Sequence, residues 1–398
     1  MPTESRGLNR SAVLSELLRR RPVSRRDIAA VTGISPATVT RTVEQLLAEG
    51  IVGEVRQEES EARGRRAVLL DVVADQRHVI GVDLGASNTR IIVADFIGQP
   101  LVARQRATAA DLDARALAVW LAETIIGFAG PAWETTEVVG VGIPGAIRSS
   151  DGSITNAPNL PQVEDPSFVS NLQQLLGRNL LVDNDSNYAL IGELRFGVAR
   201  GTSTSAMLTI GAGLGVGMAV DGRIVRGHNG IIGEFGQLPV GPLGARLEHM
   251  VTGPGIMRHA ADAGVKLSDP AELFDASNSS VAQVRRLFDQ ALLIVLTAVT
   301  VSCDPECIVL GGRVGTRVGA DIERYRQGLL TTLNMTPTLA VSELGDLSGA
   351  AGAVAVSLQH SYRTLGAGEP GISELPAASP LNAAQLQTVL TDKPDDAA

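Results

Sequence analysis

The chain has 398 residues, with 34 Lys and Arg against 43 Asp and Glu, for a formal net charge of −9. At roughly 100–200 residues per domain this gives two or three domains with ample core. There is no run of about 18 apolar residues and no apolar stretch behind MPTESRGLNRS, and two cysteines cannot build a disulfide framework, so a soluble cytoplasmic protein without a membrane partner is expected.

The charge is unevenly spread. Residues 1–70 carry 12 Arg and 9 acidic residues, or +3, and the rest carries −12. An acidic body behind a basic head assigns any polyanion contact to the head. From Ser11 to Arg20, Val13, Leu14, Leu17 and Leu18 form one helical stripe. Pro22 ends it, and Ser24 can cap a second helix through Ile28, Ala29 and Val31. Gly33 suits a left-handed turn. Ser35 caps a third helix with Pro36 at its first position, running to about Glu49 before Gly50. Its N-terminal end presents Ser35, Ala37, Thr38, Thr40 and Arg41, the positions from which a recognition helix reads the major groove. Strands at Ile51–Val55 and Ala67–Val73, joined by a tip with Arg63, Arg65 and Arg66, describe a wing able to reach phosphate or the minor groove. Residues 1–73 therefore read as a winged helix-turn-helix bound to double-stranded DNA; a protein-binding three-helix bundle is the plainer reading.

From His78 the pattern becomes α/β. A strand runs into Asp83-Leu84-Gly85-Ala86-Ser87 and another strand follows; Gly211-Ala212-Gly213-Leu214-Gly215 repeats the plan. Such turns offer N–H groups to phosphate, although tight hairpins need glycine without any ligand. The repeat suggests a duplicated lobe, giving domains at 78–195 and 203–362. Between the turns, LLVDNDSNYALIGEL places Asp183, Asn184, Asp185 and Asn187 past a strand end. A carboxylate there suits a general base for a sugar hydroxyl, a simple hydrogen bond to that hydroxyl, or plain loop capping.

The chain from about residue 8 to 360 resembles the ROK family (repressors, open reading frames and sugar kinases). The resemblance is carried by the Asp83–Ser87 turn, Ala157-Pro158-Asn159-Leu160, Asn184-Asp185-Ser186-Asn187, the Gly211–Gly215 turn, Gly233-Glu234-Phe235-Gly236, and Asp304-Pro305-Glu306 leading to Gly311-Gly312. It implies a two-lobed, actin-like or hexokinase-type body of duplicated ribonuclease-H-like lobes behind the winged head. It further implies that Asn159, Asn184 and Asp185 hold sugar hydroxyls, with Asp185 as the base if the chain is a kinase. Glu234 and Glu248 would complete the sugar shell. Asp83, Gly85, Ser87, Gly211, Gly213, Gly311 and Gly312 would surround the phosphates of ATP.

Departures from the family pattern shift this picture. Gly85-Ala86-Ser87-Asn88 stands where family kinases carry Gly-Gly-Thr-Lys, so the basic residue is lost, and Ala212 removes a hydroxyl. Gln237 replaces a histidine that touches sugar and zinc, though an amide still binds hydroxyls. GPLGARLEHM (241–250) has none of the family's cysteines, and structural zinc wants about four N/S ligands. No metal is expected; Cys303 and Cys307 read as core thiols, and His228 and His249 as structural or exposed. No cofactor is required, with ATP and Mg only if kinase activity survives. The leading expectation is a sugar-responsive transcriptional regulator, a repressor, binding an operator as a homodimer or dimer of dimers. The alternative is an ATP-dependent sugar kinase with an attached DNA-binding domain, and a third reading is a DNA-binding protein without a ligand. The tail from 366 to 398, rich in Gly, Ala, Pro and acid, is expected to be disordered, with a short helix at Leu381–Leu390 its one candidate element.

Overall fold

Local capping chemistry builds the head much as the sequence predicts. The computed structural model describes residues 2–55, 68–240, 245–275, 277–368 and 379–390. The wing tip with Arg63, Arg65 and Arg66 lies outside the described residues. Helix α1 (Pro2–Arg19) buries Val13, Leu14, Leu17 and Leu18, but it begins well before the expected Ser11. Strand β1 (Val23–Ser24) leads into α2 (Arg25–Thr32), where Ser24 Oγ accepts from Asp27 N. Gly33 takes φ +69°, which opens the turn to α3 (Pro36–Ala48), capped by Ser35. Strands β2 (Val52–Val55) and β3 (Leu69–Val72) pair antiparallel. β1 adds to β3, so the expected two-stranded wing is a three-stranded sheet.

The first lobe opens with β4 (His78–Leu84), β5 (Asn88–Asp95) and β6 (Pro100–Ala107) as an antiparallel meander. Helix α4 (Ala114–Ala129) crosses to β7 (Thr136–Ile143), parallel to β4. The small hairpin β8 (Ala146–Ile147) and β9 (Ile154–Thr155) precedes α5 (Pro166–Leu176), β10 (Asn179–Asn184) and α6 (Asp185–Phe196). The sheet order is β10-β7-β4-β5-β6.

The second lobe repeats the plan with β11 (Ser205–Ile210), β12 (Leu214–Val220) and β13 (Arg223–Ile224). A hairpin of β14 (Pro239–Val240) and β15 (Ala245–Arg246) follows, then α7 (Glu248–Val251), α8 (Gly253–Asp262) and the long α9 (Ala282–Cys303). Strand β16 (Cys307–Gly311), α10 (Gly312–Gly315), α11 (Ile322–Leu333), β17 (Thr338–Val341) and α12 (Ser348–Thr364) complete it. The order β13-β12-β11-β16-β17 mirrors that of the first sheet strand for strand. The duplication inferred from two glycine turns is therefore a duplication of whole sheets.

Each lobe lends its last helix to the other. Helix α6 packs on β11 and β12, and α12 packs on β4 and β7. The two helices lie against each other so closely that a Cβ on Gly352 would clash with the Tyr188 carbonyl. The expected second lobe, 203–362, therefore holds a helix that belongs spatially to the first. The C-terminal end of α12 shares one core with the head and the first lobe, and the Tyr362 hydroxyl donates to Phe96 O, just past β5, at 2.7 Å.

One expectation is corrected in part. Disorder was expected across the tail, but it is ordered over 379–390. There α13 (Ala383–Val389) forms within the short helix expected at Leu381–Leu390 and buries Leu386, with Leu381 just before it, and Leu390 bridges to Ala103 of β6. Two helical stretches, Ala114–Thr135 and Ser279–Cys303, are long and apolar enough to cross a membrane. Both supply core: Leu117, Leu121 and Ile125 in the first, and Phe288, Leu292, Val295 and Val299 in the second, are buried.

Candidate functional site

A cleft of about 780 Å3 separates the lobes. The first-lobe hairpin brings Asp83, Gly85 and Ser87 to one wall, and the matching hairpin of the second lobe brings Gly211 and Gly213 to the other. Asn159, Asn184 and Asp185 line the same space from the first lobe; Glu234, Gln237, Glu248 and Gly312 line it from the second. Residues scattered over 230 positions thus meet in one cavity. Gly311 does not reach it: it ends β16, where a Cβ would strike Met207.

Asn184 and Asp185 stand where β10 gives way to α6. Asn184 caps that helix, its Oδ1 accepting from Ser186 N at 2.9 Å and Asn187 N at 3.2 Å, while its Nδ2 donates to Gly145 O at 3.0 Å. The capping and cleft-lining readings are both true of it. Asp185 Oδ1 accepts from Ser186 N at 2.7 Å, and Oδ2 makes no hydrogen bond among the described residues. Burial, reinforced by Asp83 and then Glu234, raises Asp185 to about 7. Burial and Glu248 raise Glu234 to about 7. Glu234 makes no capping bond to the turn that follows it. Gln237 accepts from Arg246 Nη1, which leaves its amide N–H groups for other partners. Among the described residues no three His, Cys, Asp or Glu side chains stand together as a metal site.

Two features escaped the sequence reading. The base missing at position 88 reappears at Arg90, whose guanidinium lies 3.5 Å from Asp83 and 3.1 Å from Asp346. Strand alternation puts 88 and 90 on one face, a signal that was available. Burial still raises Asp83 to about 6, against the pull of Arg90. The other is an interlobe ion pair: Arg226, beyond β13, donates to Asp183 Oδ2 at 2.8 and 2.5 Å. Asp183 in turn accepts from Asn184 N and Asn187 Nδ2, so a second-lobe cation braces the strand end that carries the cleft residues.

On the head, Ala37 and Arg41 are exposed on one face of α3, and Gln45, one turn beyond Arg41, extends it. Ser35 Oγ caps the helix, and Thr40 Oγ1 donates to Pro36 O at 2.9 Å. Thr38 Oγ1 accepts from Ser35 Oγ at 2.9 Å. The hydroxyls at this end thus serve the helix, and its exposed face is Ala37, Arg41 and Gln45.

Twin five-stranded sheets around a cleft, with exchanged helices and a winged-helix head, define the sugar-kinase-like class of two-lobed α/β proteins. The ROK family model matches residues 79–360, and the chain belongs to that family. A MarR family model matches residues 7–66. Over 236 residues the chain is 31% identical to a xylose repressor of Caldicellulosiruptor bescii; the match covers 58% of this chain and 59% of that relative, so the chain spans about three fifths of its length. A ROK hexokinase from Thermus thermophilus is 29% identical, with a TM-score of 0.60 over 72% of this chain and 99% of that one. A ROK transcriptional regulator, homologous to an Escherichia coli protein called MLC, aligns over 89% of this chain and 96% of its own with a TM-score of 0.71. At 19% identity that likeness is one of fold.

Proposed function

We propose that this chain is a sugar-responsive transcriptional repressor of the cytoplasm. Its head reads a palindromic operator, and a sugar or sugar derivative in the interlobe cleft changes its affinity for that DNA. The observation that carries this reading is the path of α12. Its first turn lies against the cleft, where a Cβ on Gly349 would stand 3.0 Å from the Asp83 carboxyl carbon. Just past its other end, the Leu365 carbonyl accepts from Arg10 of the head at 2.9 Å. A change in interlobe angle therefore has a rigid rod through which to shift the head. A homodimer or dimer of dimers places two recognition helices one or more DNA turns apart.

Sugar binding without phosphoryl transfer is the reading favoured for the cleft, because Asp83 is held by an arginine. Neither zinc nor ATP with Mg is required: Gln237 binds Arg246, and Asp83 is a weak metal ligand beside Arg90. The base Asp185 is in place, so an assay of ADP release with sugar and ATP tests the kinase alternative directly. Gel-shift titration of operator DNA against a sugar panel tests the main reading. A shift of about 5–150-fold corresponds to a coupling of roughly 1–3 kcal/mol. No response to any sugar or sugar phosphate overturns it. Arg41→Ala should weaken operator binding by about 1–3 kcal/mol while leaving the sugar dissociation constant unchanged.

A further inference from the structure

The charge and hydrogen bonding of the cleft bear on which chemical form of sugar it accepts, an inference that rests on the sugar-binding reading above. Among the described residues, five carboxylates line the cavity, Asp83, Asp185, Glu234, Glu248 and Asp346, against two cations, each in an ion pair. Arg90 pairs with Asp83 and Asp346, and Arg313 pairs with Asp269.

Several backbone donors at the cleft are engaged as well. In the first glycine turn Gly85 N donates to Asn88 O at 3.1 Å; in the second, Gly211 N donates to Gly213 O at 3.0 Å. Gly253 N, at the start of α8, donates to Gly211 O at 2.9 Å. The first-turn amides of α6 are capped by Asn184, and Gly255 N of α8 is capped by Thr252. Helix N-termini attract anions through unpaired N–H groups, and those of α6 and α8 are satisfied from within. The walls still offer carboxylate acceptors and the amides of Asn159 and Gln237, which suit hydroxyl groups.

We infer that the effector is an uncharged sugar and that the cleft discriminates against its phosphate esters. A phosphate dianion brought here meets unshared carboxylates at short range and breaks existing ion pairs to gain a cation. Burial first, and neighbouring carboxylates second, already oppose ionisation in the cavity and raise Asp185 and Glu234. A neutral polyol adds no charge and donates its hydroxyl protons to those carboxylates.

Isothermal titration calorimetry of the full chain at pH 8 decides the matter, using xylose, glucose and N-acetylglucosamine beside xylose 5-phosphate, glucose 6-phosphate and N-acetylglucosamine 6-phosphate. One free sugar should bind, with its ester at least 100-fold weaker. An ester that binds as tightly as its parent, or more tightly, overturns this inference and leaves the sugar-binding reading standing. If neither form of any sugar binds, the sugar-binding reading itself falls and takes the inference with it. Asp83→Asn removes one of the two carboxylates that hold Arg90, the one in its own hairpin, so the gap between ester and parent should narrow at least tenfold. An unchanged gap argues against charge as the discriminator.

Discussion

The two lobes share one topology, yet their last helices do different work. Helix α6 begins at the cleft with Asp185 and ends at Phe196, within the body. Helix α12 begins against the same cleft and ends among head residues. One exchanged helix ties lobe to lobe, and the other also ties the pair to the winged-helix head. A duplicated frame has become asymmetric, and the asymmetry gives the cleft one outlet.

The sharpest way to break this comparison is to cut the tie that α6 makes. Glu193 of α6 is fully buried, and its carboxylate accepts from Ser342 Oγ at 2.5 Å, Leu344 N at 3.1 Å and Val198 N at 3.0 Å. It anchors the loop that launches α12 from the second lobe. Glu193→Ala leaves those buried donors unpaired, and each unsatisfied group costs about 1–3 kcal/mol. A loss of roughly 3 kcal/mol or more in urea unfolding is expected, together with loss of the sugar response. Glu193→Gln, which keeps the acceptor oxygen, should lose less. A neutral Glu193→Ala would show that α6 does not brace that loop.

Asp185 should show the opposite sign. Its folded pKa of about 7 lies above the ordinary aspartate value near 4. Between those values the folded state keeps a proton that the unfolded chain has released, so this contribution to stability is present below about pH 4 and lost as pH rises through 7. Asp185→Asn removes the cost of the buried charge. The variant should be more stable at pH 8 by about 1–2 kcal/mol, less than the full shift because the group is partly solvated, and little changed at pH 4. Thermal melts at the two pH values measure this. The same substitution should abolish sugar-induced stabilisation, which separates a residue placed for binding from one placed for folding. Equal melting points for variant and parent at pH 8 would mean that Asp185 is not strained by its surroundings.

The sequence made the local parts of this machine legible and hid the non-local ones. Ser24, Gly33, Ser35 and Pro36 could be read directly because caps and turns depend on a few neighbouring residues. The members of the cleft could be read because each motif carries a recognisable run of residues. What α12 does was hidden, since SGAAGAVAVSLQHSYRT shows only small residues until the structure sets Gly352 against Tyr188 and Gly81 of β4 against Ala350. Those glycines permit close approach between elements far apart in the chain, and no local pattern announces a partner. The docking of 379–390 was hidden for the same reason: the short helix is legible at Leu381–Leu390, but its apolar side chains find the edge of β6 only in three dimensions.

The finest test isolates the outlet itself. Arg10 makes two bonds to Glu49, at 2.8 and 2.6 Å, and one to the Leu365 carbonyl. It thereby joins α1, the C-terminal cap of the recognition helix and the residue that follows α12. This pair is partly exposed, so Arg10→Ala should cost the fold only about 1 kcal/mol, and sugar affinity should be unchanged because the cleft lies at the far end of α12. The expected change is in coupling. Operator affinity measured with and without saturating sugar should differ less in the variant than in the parent, with the ratio falling toward one. Arg10→Lys should recover part of the ratio, since lysine can reach one acceptor but cannot span a carboxylate with two parallel bonds. A full sugar response in Arg10→Ala would mean that the head senses the cleft by another route, and the difference between α6 and α12 would then be one of packing alone.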